Sequence, residues 1–183
     1  WEGRCSSFLS TRLAPESRGG HHASLAVGER GATHVLYSVT QDAAYTYAVH
    51  DGCRWRFERI AGVRTGYPFE QVRLRLGAGD VPHALATPVD GIRGIAYGRR
   101  RADGWIFEAV PTAGEPGEVG DMALDADGQA HLCLSFRAPT AETSYAYAVR
   151  RGDRWVTQEV ARDGEPPRGC AIEVGRASCR ERV

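Results

Sequence analysis

The sequence predicts an all-β chain assembled from one repeated unit of four short strands. Three observations predict it: an internal repeat near 50 residues, runs with strand periodicity, and turn dipeptides at the joints. YTYAVHDGCRW (Tyr45–Trp55) and YAYAVRRGDRW (Tyr145–Trp155) match at seven of eleven positions and stand 100 residues apart. Midway between them lies IAYGRRRADGW, Ile95–Trp105. Tyr47, Tyr97 and Tyr147 therefore recur every 50 residues, as do Trp55, Trp105 and Trp155. Self-similarity at such a period marks a repeat architecture, in which one unit cannot bury its own faces and stacks on the next.

Each unit opens with an apolar run and a tight turn. The pieces read LAVGERGATHVLYS from Leu25, LRLGAGDVPHALAT from Leu74 and MALDADGQAHLCLS from Met122, aligned on His34, His83 and His131. A Tyr run follows, and the unit closes with WRFERI, WIFEAV or WVTQEV. The runs are about five to seven residues long, the usual strand length. Tyr45, Tyr47 and Val49 share one face by alternation, as do Tyr145, Tyr147 and Val149. Trp55 and Phe57 share a face, as do Trp105 and Phe107. VLYSV and HLCLSF are apolar on both faces, which suits strands covered on both sides. Asp51-Gly52, Asp90-Gly91, Asp103-Gly104 and Asp127-Gly128 supply hairpin turns. No stretch carries a helical stripe.

Radial stacking of four-stranded units closes into a β-propeller. The predicted fold is thus a β-propeller fragment: about three four-stranded antiparallel blades plus the start of a fourth. The expected division is the end of a preceding blade or a linker over 1–19, blade one over 20–60, blade two over 61–110, blade three over 111–160, and the start of blade four over 161–174. After Val174 the register calls for a Gly turn and a His, and the chain reads GRASCRERV instead. This segment, 175–183, resembles the translated read-through of a sequencing adapter and is left out of fold reasoning. The native array is expected to continue with further blades.

Composition narrows the function classes. The formal charge is zero, with 23 basic and 23 acidic residues, so a nucleic-acid partner is not expected. Every basic residue is Arg, and there is neither Lys nor Asn. Codons for both are AT-rich, so the Arg excess reads as a high-GC coding sequence. Arg99–Arg101 is the one basic run and reads as a solvated hairpin, with an anion contact as the sharper alternative. No apolar run is long enough for a transmembrane helix. The five cysteines show no CxxC spacing, so zinc is not expected. Cys133 aligns with Leu36 and Leu85 and reads as a small core residue. A disulfide belongs to an exported chain, and Cys5, Cys53, Cys133 and Cys170 leave its pairing open.

His34, His83 and His131 are the candidate binding residues. Recurring once per unit, each is expected to hydrogen-bond a neighbouring turn or backbone carbonyl. As a binding set they would line one end of the central channel. Asp125 and Asp127 in DADG suggest a calcium loop, but the further oxygen ligands such a loop needs are missing, so the stretch reads as a hairpin turn. The Tyr and Trp series reads as packing between blades. Glu58, Glu108 and Glu159 recur near the last strands without pairing into an acid/base couple. No nucleophile, phosphate-loop or dinucleotide motif is present, and no cofactor, metal or catalytic residue is expected.

With these residues in view, the pattern resembles the bacterial repeat propellers of the broadly sialidase-like superfamily. The resemblance spans about 20–174 and is clearest from Leu124 to Val160, where Y-A-x-R-x-G-x-x-W runs from Tyr147 to Trp155. HDGCRW and RRGDRW keep the Gly and Trp of the sialidase Asp-box turn but lose its Ser and the position of its Asp. No Arg-Ile-Pro signature is present. The resemblance implies architecture first. The function expected is a non-catalytic binding or interaction module of an exported protein, with carbohydrate or protein as ligand. The alternatives are a propeller glycoside hydrolase fragment and a structural repeat domain of a larger surface protein. The expected location is extracellular, periplasmic or on the cell surface.

Overall fold

A computed structural model describes residues 22–39, 44–62, 71–87, 89, 91–92, 94–113, 115–116, 120–137, 142–163 and 170–174. The expectations for 1–19, Cys5, Asp90 and the 175–183 tail lie outside these residues. Among the described residues the structure is all β apart from one short 3-10 turn, Ala78–Asp80. The first sheet runs β1 (Ala23–Val27), β2 (Thr33–Val39), β3 (Ala44–His50) and β4 (Trp55–Gly62). The second runs β5 (Gln71–Leu76), β6 (Pro82–Thr87), β7 (Ala96–Arg101) and β8 (Gly104–Ala109). A two-residue strand, β9 (Glu115–Pro116), pairs with β11 of the third sheet. That sheet orders β10 (Asp121–Leu124), β11 (Ala130–Arg137), β12 (Thr143–Arg151) and β13 (Arg154–Asp163).

Apart from the short β9, every neighbouring pair is antiparallel and consecutive in sequence, so each sheet is an up-and-down meander. Gly52, Gly104 and Gly152 take positive φ in the hairpins before the Trp strands, where a Cβ would be strained. The sheets come together through their first strands. The Ser24 hydroxyl accepts from Leu74 N–H at 2.9 Å, and Arg75 on β5 meets Asp121 on β10 at 2.7 Å. Ile172 N–H reaches the other Asp121 oxygen at 3.5 Å, so 170–174 stand against β10 much as β5 stands against β1. Three meanders fanned from their first strands are the blades of a β-propeller.

Alternation decides which side chains fill each seam. The second blade sends Val72, Leu74, Ala84, Ala86 and Ala96 toward the first, against Leu36, Tyr45 and Tyr47. From its other face Leu85, Ile95 and Tyr97 meet Met122, Leu132, Leu134 and Ala148 of the third. The middle sheet is thus covered on both faces, as its apolar runs require. The Tyr45 hydroxyl donates to the Thr87 carbonyl across the first seam at 2.7 Å. Gly98, facing the first blade, stands where Ala48 and Ala148 stand in the others; a Cβ there would come within 2.4 Å of the Phe107 ring.

Two expectations are corrected. Cys133 is not an unpaired core thiol: it forms a disulfide with Cys170, which ties 170–174 to the third blade. Cys53 is disulfide-bonded as well. In place of a loop, Arg99–Arg101 form the end of β7, where a paired neighbour fixes each backbone position, and Arg99 and Arg101 are exposed to solvent there as expected.

Candidate functional site

Each blade carries one repeated polar contact. His34, His83 and His131 place Nδ1 at 2.6 Å from the hydroxyls of Tyr47, Tyr97 and Tyr147 respectively. The shared partner is therefore a Tyr side chain on the next strand, and only His131 also bonds a neighbouring turn as expected, through Asp125. On an antiparallel pair the diagonal neighbours of one face lie within reach of long side chains, and His34 opposite Val49 is diagonal to Tyr47 opposite Leu36. Burial pushes the His34 imidazole below its ordinary value, against the pull of Asp80. Burial, helped by Arg99, pushes His83 down to about 4. Both are neutral at pH 7 and accept the Tyr proton. Burial raises Tyr97 to about 12 and Tyr47 further still, so both hydroxyls stay protonated as donors.

The third blade adds a carboxylate. Asp125 Oδ2 lies 3.1 Å from His131 Nε2, which fixes the tautomer: Nε2–H donates to Asp125 and Nδ1 accepts from Tyr147. Burial opposes the Asp125 charge, and hydrogen bonds from His131, Gln129 and Asp127 outweigh it, so the carboxyl sits below its usual range. Asp125 Oδ1 accepts the Asp127 and Gln129 N–H groups, so DADG is a turn organised by its own first residue. The other two blades have Gly28 and Gly77 at that position, and His34 Nε2 is buried without a partner among the described residues.

The Tyr rings then carry the contact across the seams. Tyr47 meets the edge of Trp105 with ring centres 5.3 Å apart, and Tyr97 meets Trp155 at the same distance. A carboxylate–guanidinium pair closes each seam beside them: Glu58 with Arg100 at 2.8 Å, and Glu108 with Arg150 at 2.5 Å. Trp155 Nε1 donates to Glu108 at 3.0 Å, whereas Trp105 Nε1 is buried with no partner among the described residues. Register assigns the third member of the carboxylate series to Gln158, opposite Tyr147 as Glu58 and Glu108 are opposite Tyr47 and Tyr97. Glu159 is displaced from the series and pairs with Arg162 at 3.0 Å.

Two cavities are candidates for a ligand. The larger, about 630 Å³, lies by the first strands, between Arg75–Leu76, Ala123–Leu124 and Ala171–Val174. Its arginine is already committed to Asp121. The smaller, about 220 Å³, is a cleft at the outer end of the second seam. The second blade lines it with Tyr97, Arg99, Arg101, Ile106 and Glu108; the third lines it with the Asp127–Ala130 turn, Arg150 and Gly152. His34, His83 and His131 line neither cavity. They stand on three different sheets, each held by its own Tyr. Among the described residues no group of three or more His, Cys, Asp or Glu could hold a metal ion.

Sequence reasoning passed over the cleft because no single motif builds it. Its signal is a break in the repeat at one position: Arg99 stands where the other blades have Val49 and Val149, while Arg101 stands where the first has Asp51 and the third Arg151. No helix among the described residues is long and apolar enough to cross a membrane.

No family model and no curated protein matches the chain. Among solved structures it is similar to a fucose lectin from Kordia zhangzhouensis in complex with methyl-fucoside, at 16% identity and a TM-score of 0.48, over 74% of this chain and 96% of that one.

Proposed function

We propose that the chain is a non-catalytic carbohydrate-binding module whose site is the cleft between the second and third blades. The observation that carries the reading is the lining of that cleft. Planar guanidinium and carboxylate groups from two blades converge beside the Tyr97 ring and the Ile106 side chain. Fork-shaped donors beside acceptors suit adjacent hydroxyls, and apolar surface suits the C–H face of a sugar. At about 220 Å³ the cleft is smaller than a drug-sized pocket and fits one small ring. Glu108 is held by Arg150 and Trp155, so it is preorganised as an acceptor and its charge is balanced, which is poor preparation for general acid or base work. The Cys133–Cys170 disulfide supports an extracytoplasmic location: extracellular, periplasmic or at the cell surface.

The test is calorimetric titration of the intact chain, disulfides oxidised, with a panel of neutral and acidic monosaccharides and short oligosaccharides. Binding of at least one saccharide is expected, and Ile106→Trp should abolish it. Ile106 is 46% exposed, so the larger ring fills the cleft without disturbing the core. An unchanged melting temperature in that variant separates occlusion from unfolding. Absence of any saccharide binding would overturn the reading.

A further inference from the structure

We infer that the second-seam cleft selects an anionic sugar, whose carboxylate or sulfate is held by Arg99 and Arg101; this rests on the carbohydrate reading above and narrows it. Three observations lead there. First, the two residues sit two apart on β7, so alternation turns both to the face that carries Tyr97, and both line the cleft. Arg100, between them, faces the other way and is taken by Glu58 at 2.8 Å.

Second, the pair is unspent. Arg75, Arg100 and Arg150 each meet a carboxylate of a neighbouring blade within 2.8 Å. Arg99 and Arg101 are exposed, and among the described residues neither has a carboxylate within ion-pair distance. Two carboxylates do line the cleft. Glu108 is balanced by Arg150, and Asp127 stands on the opposite wall. The lining still holds three guanidinium groups against two carboxylates.

Third, the repeat provides an internal control. At the matching places in the first seam stand Val49, which is half-buried and packs against the core of that seam, and Asp51, which is tied to Arg56 at 3.1 Å. A blade therefore folds and stacks without arginines there. Arg99 replaces the Val49 and Val149 of the other blades and is particular to this seam, whereas Arg101 recurs as Arg151; the architecture requires neither, since the first blade has neither. Two planar forks over a small cleft match a planar carboxylate or a tetrahedral sulfate, which accept two parallel hydrogen bonds.

The experiment compares matched ligands on the intact chain: glucose and galactose, their uronic acids, and their 6-sulfates. Acidic sugars should bind roughly tenfold or more tightly than the neutral parents, as expected for one charge-assisted contact. The advantage should shrink as salt rises. It should disappear in R99Q/R101Q with the melting temperature retained, read as the ratio of acidic to neutral affinity so that a general weakening of sugar binding does not count. The uronate and sulfate arms tell which anion is preferred. Equal affinity for neutral and acidic sugars, or an acid preference that survives R99Q/R101Q, would overturn this inference and leave the carbohydrate reading standing. Failure of every sugar to bind would remove both.

Discussion

Replacing the two seam tryptophans by phenylalanine separates two seams that look alike in sequence. Trp105 and Trp155 each put an edge on the preceding blade's Tyr at 5.3 Å, so Trp→Phe removes a similar slice of packing in both, about 1 kcal/mol. The indole N–H is where they differ. Trp155 Nε1 donates to the Glu108 carboxylate at 3.0 Å. A hydrogen bond to a charged group is worth about 1.5–3 kcal/mol, reduced to about 1–2 here by solvent because the Glu108 side chain is 36% exposed. Trp105 Nε1 is buried with no partner among the described residues, so removing it relieves a desolvation cost of about 1 kcal/mol or more. Trp155→Phe should therefore cost about 2–3 kcal/mol, and Trp105→Phe should fall within about 1 kcal/mol of zero. The assay is urea denaturation of the intact, oxidised chain, read as a midpoint shift at constant m. Equal costs, or a larger cost at Trp105, would refute the assignment of the N–H groups.

Acid should unfold the chain earlier than its surface carboxylates demand. With His83 at about 4 folded and near 6.5 unfolded, the unfolded state binds the extra proton first, so stability is full above 6.5 and falls as pH drops toward 4. Between pH 7 and 5 the loss is about 2 kcal/mol, and His83→Gln should flatten that part of the stability–pH curve. The disulfide-free variant C133A/C170A, which opens a link across 37 residues, should lose about 4 kcal/mol in chemical denaturation on the loop-entropy account. A loss below about 1 kcal/mol would show that 170–174 add little constraint. Gly98→Ala should cost about 1–3 kcal/mol by colliding with Phe107. Adding Phe107→Thr should recover part of that in the same titration, because it recreates the Ala148–Thr157 pair of the third blade.

What the sequence discloses follows from what repeats. Tyr47, Tyr97 and Tyr147 mark the third strand of every blade because each seam needs the same filler at the same height. The alternation around Trp105 and Phe107 gives the face, and the two rings are stacked as that alternation implies. Cross-strand partners are harder, because they depend on register. The His side chains bond the diagonal Tyr, and Gln158 rather than Glu159 continues the carboxylate series once β12 and β13 are paired, with a shift between Tyr145 and Ala146. The Cys133–Cys170 pair could not be read, since several cysteines allow several connectivities. The cleft was visible only as a departure: Arg99 interrupts a repeat that has Val at that place in the other two blades, and the wall it faces lies about 30 to 50 residues further along the chain.

The seam contacts run in one direction, and this bears on how such chains diversify. A blade offers a Tyr and a carboxylate on one face; its neighbour answers with a Trp and an Arg on the other. The middle blade carries both halves at once. Duplicating a unit therefore copies a complete plug and a complete socket, and an array lengthens without inventing a new joint. The second joint also carries a cleft, lined in part by Arg99 and Arg101. Those positions are free to drift, as Val49 and Asp51 differ from Arg99 and Arg101. One scaffold can in this way accumulate a row of recognition points with separate chemistries, each altered without endangering the fold that carries it.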